Sequence, residues 1–147
     1  MCGIAGLIHR GKSSDVGREL QDMLQALKHR GPDSTGYALY ANNDGQNFIL
    51  RFKVGENVGE GSTSVNEDES VYNERKKSVD KKLSELGALV VKEEKLTPYS
   101  YRYEIKFDKD LMEFSKAIES IQSVEILSIG KSLELIKDLG DATEVSE

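Results

Sequence analysis

Tyr99-Ser100-Tyr101-Arg102-Tyr103-Glu104-Ile105-Lys106-Phe107 alternates large apolar side chains with small, polar or charged ones along its whole length. Successive side chains of a strand point to opposite faces, so this period of two predicts a half-buried strand with the tyrosines, Ile105 and Phe107 turned inward. Working outward, Thr97-Pro98 reads as a turn and Ala88 to Val91 as a second strand. Before it lies a charged stretch, roughly Glu69 to Leu86, whose apolar positions Val79, Leu83 and Leu86 are spaced for a helix. After Phe107, Leu111, Phe114, Ile118 and Ile121 share one helical face, with Asp108 or Asp110 as the cap, and Val124 to Ile129 reads as another strand. Phe48, Leu50, Phe52 and Val54 place a further strand upstream. The order from Phe48 is β-α-β-β-α-β, the signature of a ferredoxin-like split βαβ unit, which we assign to residues 46–130. It predicts an antiparallel sheet of four strands with both helices on one face.

The flanks read less regularly. Ile4, Ala5, Leu7 and Ile8 suggest a short strand, Ser13-Ser14-Asp15 offers helix caps, and Val16, Leu20, Met23, Leu24 and Leu27 form one apolar stripe. Gly31-Pro32 ends that helix, because proline lacks an amide hydrogen and disfavours helix in the residue before it. Gly36 to Ala41 then reads as a strand, joined through Asn43-Asp44-Gly45 to Phe48–Val54 as a hairpin. Gly55 to Ser70, rich in Gly, Ser, Asn and Glu, reads as an exposed loop. The tail, Ser132 to Leu139, suggests a short helix with Gly140 as its C-cap. The expected organisation is residues 1–45, the insert 46–130, and a helical tail 131–147.

Twenty basic residues against 26 acidic ones leave a net charge of -6, which argues against nucleic acid or an anionic membrane surface as the main partner. No apolar run approaches the ~20 residues of a membrane helix, and the residues after Met1 lack the basic region and cleavage site of a secretory signal. A cytoplasmic protein is expected. His9 and His29 are not spaced as metal ligands, and Glu93-Glu94, Glu67-Asp68-Glu69 and Lys76-Lys77 read as solvated faces. No metal site is expected from these residues.

The single cysteine is the informative residue, because it stands at position 2. A small residue there permits removal of Met1, which gives Cys2 a free α-amine beside its own thiol. With reference pKa values near ~7.7–8.0 for the amine and ~8.5 for the thiol, part of the amine is unprotonated at neutral pH and can take the thiol proton. Nucleophile and base then sit on one residue, the logic of N-terminal nucleophiles.

Two blocks carry a resemblance. Met1-Cys2-Gly3-Ile4-Ala5-Gly6, followed by His29-Arg30-Gly31-Pro32-Asp33-Ser34-Thr35-Gly36, resembles the opening of class II (N-terminal nucleophile) glutamine amidotransferases. The resemblance implies Cys2 as nucleophile, Gly3 as the residue that lets the chain turn closely beside the site, and Arg30-Gly31 lying against the nucleophile. It implies glutamine as substrate, a synthase subunit or domain that accepts the ammonia, and an α+β fold that is part of an αββα sandwich carrying the ferredoxin-like insert. The βαββαβ segment and the ending Val124 to Gly130 … Lys137-Asp138-Leu139-Gly140-Asp141 look more narrowly like the stand-alone subunits related to the glutaminase domain of glutamate synthase.

The departure is equally specific. The class also carries a His-Thr-Arg strand, whose Arg binds the glutamine carboxylate, and an Asn-Gly pair that builds the oxyanion hole, and neither dipeptide nor tripeptide occurs here. The chain ends about where that strand is expected, so this isolated chain is expected to be inactive. A non-catalytic binding or regulatory module with a vestigial Cys2 is the main alternative. A third reading takes Gly6-Leu7-Ile8-His9-Arg10-Gly11-Lys12-Ser13 as a phosphate-binding loop, which needs a preceding strand and a parallel sheet.

Overall fold

The computed structural model describes residues 3–10, 15–30, 34–40, 46–55 and 68–146. These form a mixed α+β arrangement of four α-helices and two sheets, divided into two compact units, Met1–Tyr37 with Ile136–Glu147 and Ala38–Leu135. The divisions fall inside two strands, between Tyr37 and Ala38 and between Leu135 and Ile136.

The Ala38–Leu135 unit is built on four strands: β2 (Phe48–Lys53), β3 (Leu89–Lys95), β4 (Ser100–Lys106) and β5 (Glu125–Gly130). They lie in the order β3-β4-β2-β5, every neighbour antiparallel, which is the order a split βαβ requires. Phe52 faces Tyr101, Leu50 faces Tyr103 and Phe48 faces Ile105 across the central pair. The period-two reading of Tyr99–Phe107 therefore selects the buried face correctly: Tyr101, Tyr103 and Ile105 are all buried.

Both helices of this unit, α2 (Glu69–Leu86) and α3 (Leu111–Glu119), pack on that one face. Val79 and Leu83 of α2 and Phe114 and Ile118 of α3 enter the same core as Leu50, Phe52, Val54 and the two tyrosines. The Asp68 carboxylate accepts from the Ser70 amide at the start of α2, and Asp110 accepts from Glu113 at the start of α3. Gly87 ends α2 at φ 82°, a left-handed cap that glycine adopts without a Cβ penalty. Strand β3 extends beyond the Ala88–Val91 expected from sequence, with a register shift between Val90 and Lys92.

The opposite face of this sheet is charged. Arg51 and Arg102 stand directly across from each other on β2 and β4. The Glu134 carboxylate lies between them, accepting from Arg51 Nε at 2.7 Å and from Arg102 Nε and Nη2 at 2.9 and 2.8 Å. Glu94 takes the remaining Arg102 nitrogen at 3.0 Å.

Three expectations from sequence need correction. Ser132–Leu139 is not a helix: Leu133–Leu139 forms strand β6, which pairs with β1 (Ser34–Tyr40) in a two-stranded sheet. Leu133, Ile136 and Leu139 fit helical spacing, but the backbone finds a strand partner and Glu134 finds two guanidiniums. The hairpin between β1 and β2 does not form either, since β2 is flanked by β4 and β5, whose Tyr101, Tyr103, Ile126 and Ile129 complete its apolar face. The expected turn Asn43-Asp44-Gly45 lies outside the described residues, as does most of the Gly55–Ser70 loop. Finally, residues 3–10 carry no regular secondary structure, with Ile4 and Ile8 92% and 89% exposed. A strand exists only where a neighbour satisfies its backbone, and among the described residues none lies beside this segment.

Candidate functional site

The described residues of the two motif blocks, Gly3 to Gly6, His29, Arg30 and Ser34 to Gly36, lie in the unit of Met1–Tyr37 and Ile136–Glu147. Its first helix, α1 (Val16–Ala26), begins where the Asp15 carboxylate accepts from the Arg18 amide at 3.3 Å and continues into a single 3-10 turn, Lys28–Arg30. The apolar stripe Leu20, Met23, Leu24, Leu27 follows from helical spacing. The Arg30 amide donates to the Leu27 carbonyl at 2.8 Å, so Leu27 and Arg30 stand on one side of this turn.

Gly3 rests on that surface. A Cβ at Gly3 would lie 3.1 Å from the Leu27 Cβ and 3.5 Å from the Arg30 Cβ. A methyl there would press on Leu27, which would have to give by a few tenths of an ångström, and glycine avoids this crowding. Gly3 and Arg30, far apart in sequence and one from each motif block, are thus close in space. Cys2 and Gly31 lie outside the described residues, as do Pro32, Asp33 and the Gly11-Lys12-Ser13 part of the phosphate-loop reading. Against that third reading, the described residues before Gly6, Gly3 to Ala5, form no strand, and the four-stranded sheet is antiparallel throughout.

Beyond the motif, Thr35 Oγ1 donates to the Gly140 carbonyl at 2.9 Å and the Tyr37 hydroxyl to the Ala142 carbonyl at 2.6 Å. The receiving corner is the start of α4 (Ala142–Ser146). Asp141 Oδ1 accepts from the Thr143 and Glu144 amides at 3.0 and 3.1 Å, while Glu144 Oε2 accepts from the Asp141 amide at 2.8 Å. This is a reciprocal capping box. Gly140, at φ 114°, precedes that helix instead of capping an earlier one. Its pattern, Asp141-x-x-Glu144, was the signal in the sequence that identifies the corner.

The other Asp141 oxygen accepts from Lys28 Nζ at 2.8 Å and from Gln25 Nε2 at 3.4 Å. The Lys28 hydrogen bond, helped by the Glu144 amide, holds the Asp141 carboxyl well below the usual carboxylate range, and the same contact raises Lys28. Of the two histidines, His9 Nε2 pairs with Glu19 at 2.8 Å and His29 sits in the 3-10 turn. Among the described residues no three His, Cys, Asp or Glu side chains gather to hold a metal ion. No helix among them is long and apolar enough to cross a membrane.

No family model matches the chain. It is 30% identical over 152 aligned residues to a protein of Methanothermobacter thermautotrophicus described as "Putative glutamine amidotransferase". That alignment takes in all of this chain and 46% of the relative, so the chain spans about half the length of the curated protein it matches.

Proposed function

We propose that this chain provides the nucleophile half of a class II glutamine amidotransferase, with Cys2, freed of Met1, as the attacking residue. The observation that carries the reading is the proximity of Gly3 to Leu27 and Arg30, which brings together the two sequence blocks whose pairing marks the class. The relative's description as a glutamine amidotransferase supports the same chemistry. In this reading the Met1–Tyr37 and Ile136–Glu147 unit belongs to an αββα sandwich, and the βαββαβ unit is its insert.

The reaction follows from the residue types. The terminal amine of Cys2 takes the thiol proton, and the thiolate attacks the side-chain amide carbon of glutamine. Collapse of the tetrahedral intermediate breaks the carbon–nitrogen bond, and the amine's proton leaves with ammonia. Water, deprotonated by the same amine, then cleaves the thioester to glutamate. Neither metal nor organic cofactor takes part. Arg30 and Gly31 shape the wall beside the thiol, and a synthase subunit or domain receives the ammonia, as the resemblance to the glutaminase domain of glutamate synthase implies.

The carboxylate-binding Arg and the Asn-Gly oxyanion donors have no match in these 147 residues. An oxyanion donor contributes ~10²–10³ in rate, so turnover depends on those groups being supplied in the same chain or by a partner. The test is ammonia release from glutamine by the Met1-free chain with and without such a segment, alongside Cys2→Ser. Turnover that needs the added segment and vanishes in Cys2→Ser supports the reading. Undiminished turnover in Cys2→Ser ends it.

A further inference from the structure

The unit of Met1–Tyr37 and Ile136–Glu147 has the amphipathic elements of a packed layer but little of a core. Helix α1 carries the stripe Val16, Leu20, Met23, Leu24 and Leu27, yet none of its residues is buried, and Val16 and Met23 are exposed. Among the described residues of this unit, Tyr37 and Ala142 are the buried apolar side chains. In the βαββαβ unit, by contrast, helices of similar patterning bury Val79, Leu83, Phe114 and Ile118 completely.

The stretch from Gly3 to Ile8 shows where the missing layer belongs. Its burial alternates: Gly3, Ala5 and Leu7 are half-buried, while Ile4, Gly6 and Ile8 stand in solvent. That is the pattern of a strand with one face on protein, although no strand among the described residues pairs with it. The segment is fastened at its far end, where His9 Nε2 meets Glu19 in the first turn of α1 at 2.8 Å. Ile4 and Ile8, 92% and 89% exposed, lie two apart on its outer side with Gly6 between them. From Gly3 to Ile8 there is no charge and no proline, the devices that protect an open strand edge.

We propose that the Ile4–Ile8 face is a docking surface for an apolar strand from the remainder of the amidotransferase, and that Gly3–Ile8 becomes a strand by pairing with it. An extended backbone with alternating burial accepts a strand through main-chain hydrogen bonds, with side chains meeting on each face. The source of that strand follows from length: the alignment takes in all of this chain and 46% of the M. thermautotrophicus relative, so the relative carries more polypeptide outside the matched region than inside it. A second copy suits the surface less well, because two such segments would make a sheet of two strands, short of the three or more that independent stability requires. The identity of the occupant rests on the glutamine amidotransferase reading, whereas the surface itself does not.

The test co-expresses the 147-residue chain with the polypeptide that the relative carries outside the alignment. Parent, Ile4→Asp and Ile8→Asp are compared by gel filtration of the complex, thermal melting of the chain alone, and hydrogen exchange over residues 3–10. Both side chains are already in solvent, so each variant alone should melt within about 2 °C of the parent. The expected result is a one-to-one complex in which exchange over residues 3–10 slows about tenfold or more, and whose yield falls about tenfold in each variant. No complex, a complex with unslowed exchange, or one formed by the variants within about twofold of the parent overturns the proposal. So does a variant whose own melting drops by more than about 5 °C, which would place the isoleucine inside the chain's own packing. A homodimer of the chain alone that either substitution dissociates also overturns it, since the occupant is then a second copy. A complex of the expected kind that releases no ammonia from glutamine leaves the docking surface standing and removes the glutamine reading. Ammonia release by a complex indifferent to both substitutions does the reverse.

Discussion

Replacing Glu134 by glutamine keeps the side chain's shape and removes the one negative charge shared by Arg51 and Arg102. Three hydrogen bonds from guanidinium nitrogens end on this carboxylate, at 2.7, 2.9 and 2.8 Å. Both Arg51 and Glu134 are buried, and the two arginines face each other across the central strand pair. An amide has a single acceptor oxygen and turns its NH₂ toward a cation. Removing one partner of a buried ion pair costs about 3–5 kcal/mol, and because Arg102 keeps Glu94 at 3.0 Å we expect the lower end, ~3 kcal/mol. Urea unfolding followed by circular dichroism reads this as a midpoint lowered by roughly 1–3 M, given slopes of about 1–3 kcal/mol/M. The pH dependence has a definite sign. Arg102 first, then Arg51, hold the Glu134 carboxyl below its ordinary value against the opposing effect of burial. A depressed folded-state pKa contributes stability that is complete above the unfolded value near ~4.3 and is lost as pH falls through the folded value. Glu134→Gln should therefore lose stability at neutral pH and show a flatter acid limb than the parent. A cost below about 1 kcal/mol, or an unchanged acid limb, would refute this account of the cluster.

Gly140→Ala should lose about 1–3 kcal/mol in thermal or urea unfolding, because φ 114° is strained for a side-chain-bearing residue and its Cβ would come 2.7 Å from Glu144 Oε2. An unchanged melting temperature would show that the corner relaxes freely. Under the proposed glutamine amidotransferase reading, Gly3→Ala should leave global stability within about 0.5 kcal/mol, yet lower kcat for glutamine roughly tenfold in the completed enzyme, since Leu27 must yield by a few tenths of an ångström. Full turnover in Gly3→Ala would separate this crowding from the chemistry.

Unit by unit, legibility follows how local the deciding forces are. In the βαββαβ unit the information is carried by periodicity: Tyr101, Tyr103 and Ile105 alternate, Val79 and Leu83 recur at helical spacing, and Asp110 and Gly87 mark helix ends. Each element buries its own apolar face, so each is readable alone. The α1 stripe and its Asp15 cap are legible for the same reason. At the candidate site, glycine at position 3 and arginine at position 30 are readable as motif members, and their proximity needs the fold. Reading Gly140 as the end of a helix hides Asp141, whereas the Asp-x-x-Glu spacing after it marks the start of one.

The misread strands share one cause. Ser132–Leu139 and residues 4–8 have apolar residues in patterns that suit more than one conformation, so a partner decides between them. For β6 the partners are a backbone, β1, and a pair of cations, Arg51 and Arg102, more than thirty residues away along the chain. Two arginines facing each other on adjacent strands are unfavourable by themselves, which means that a carboxylate had to be supplied from elsewhere in the sequence. Glu134 is that carboxylate, and a helix over Ser132–Leu139 would leave its backbone without the pairing that β1 provides. The charge pattern of the sheet's outer face thus constrains the conformation of a segment whose own periodicity is ambiguous. For residues 4–8 no such partner is present among the described residues, and the same apolar pattern leaves Ile4 and Ile8 in solvent. Local pattern supplies the propensity to form a strand, and the hydrogen-bonding neighbour determines whether one exists.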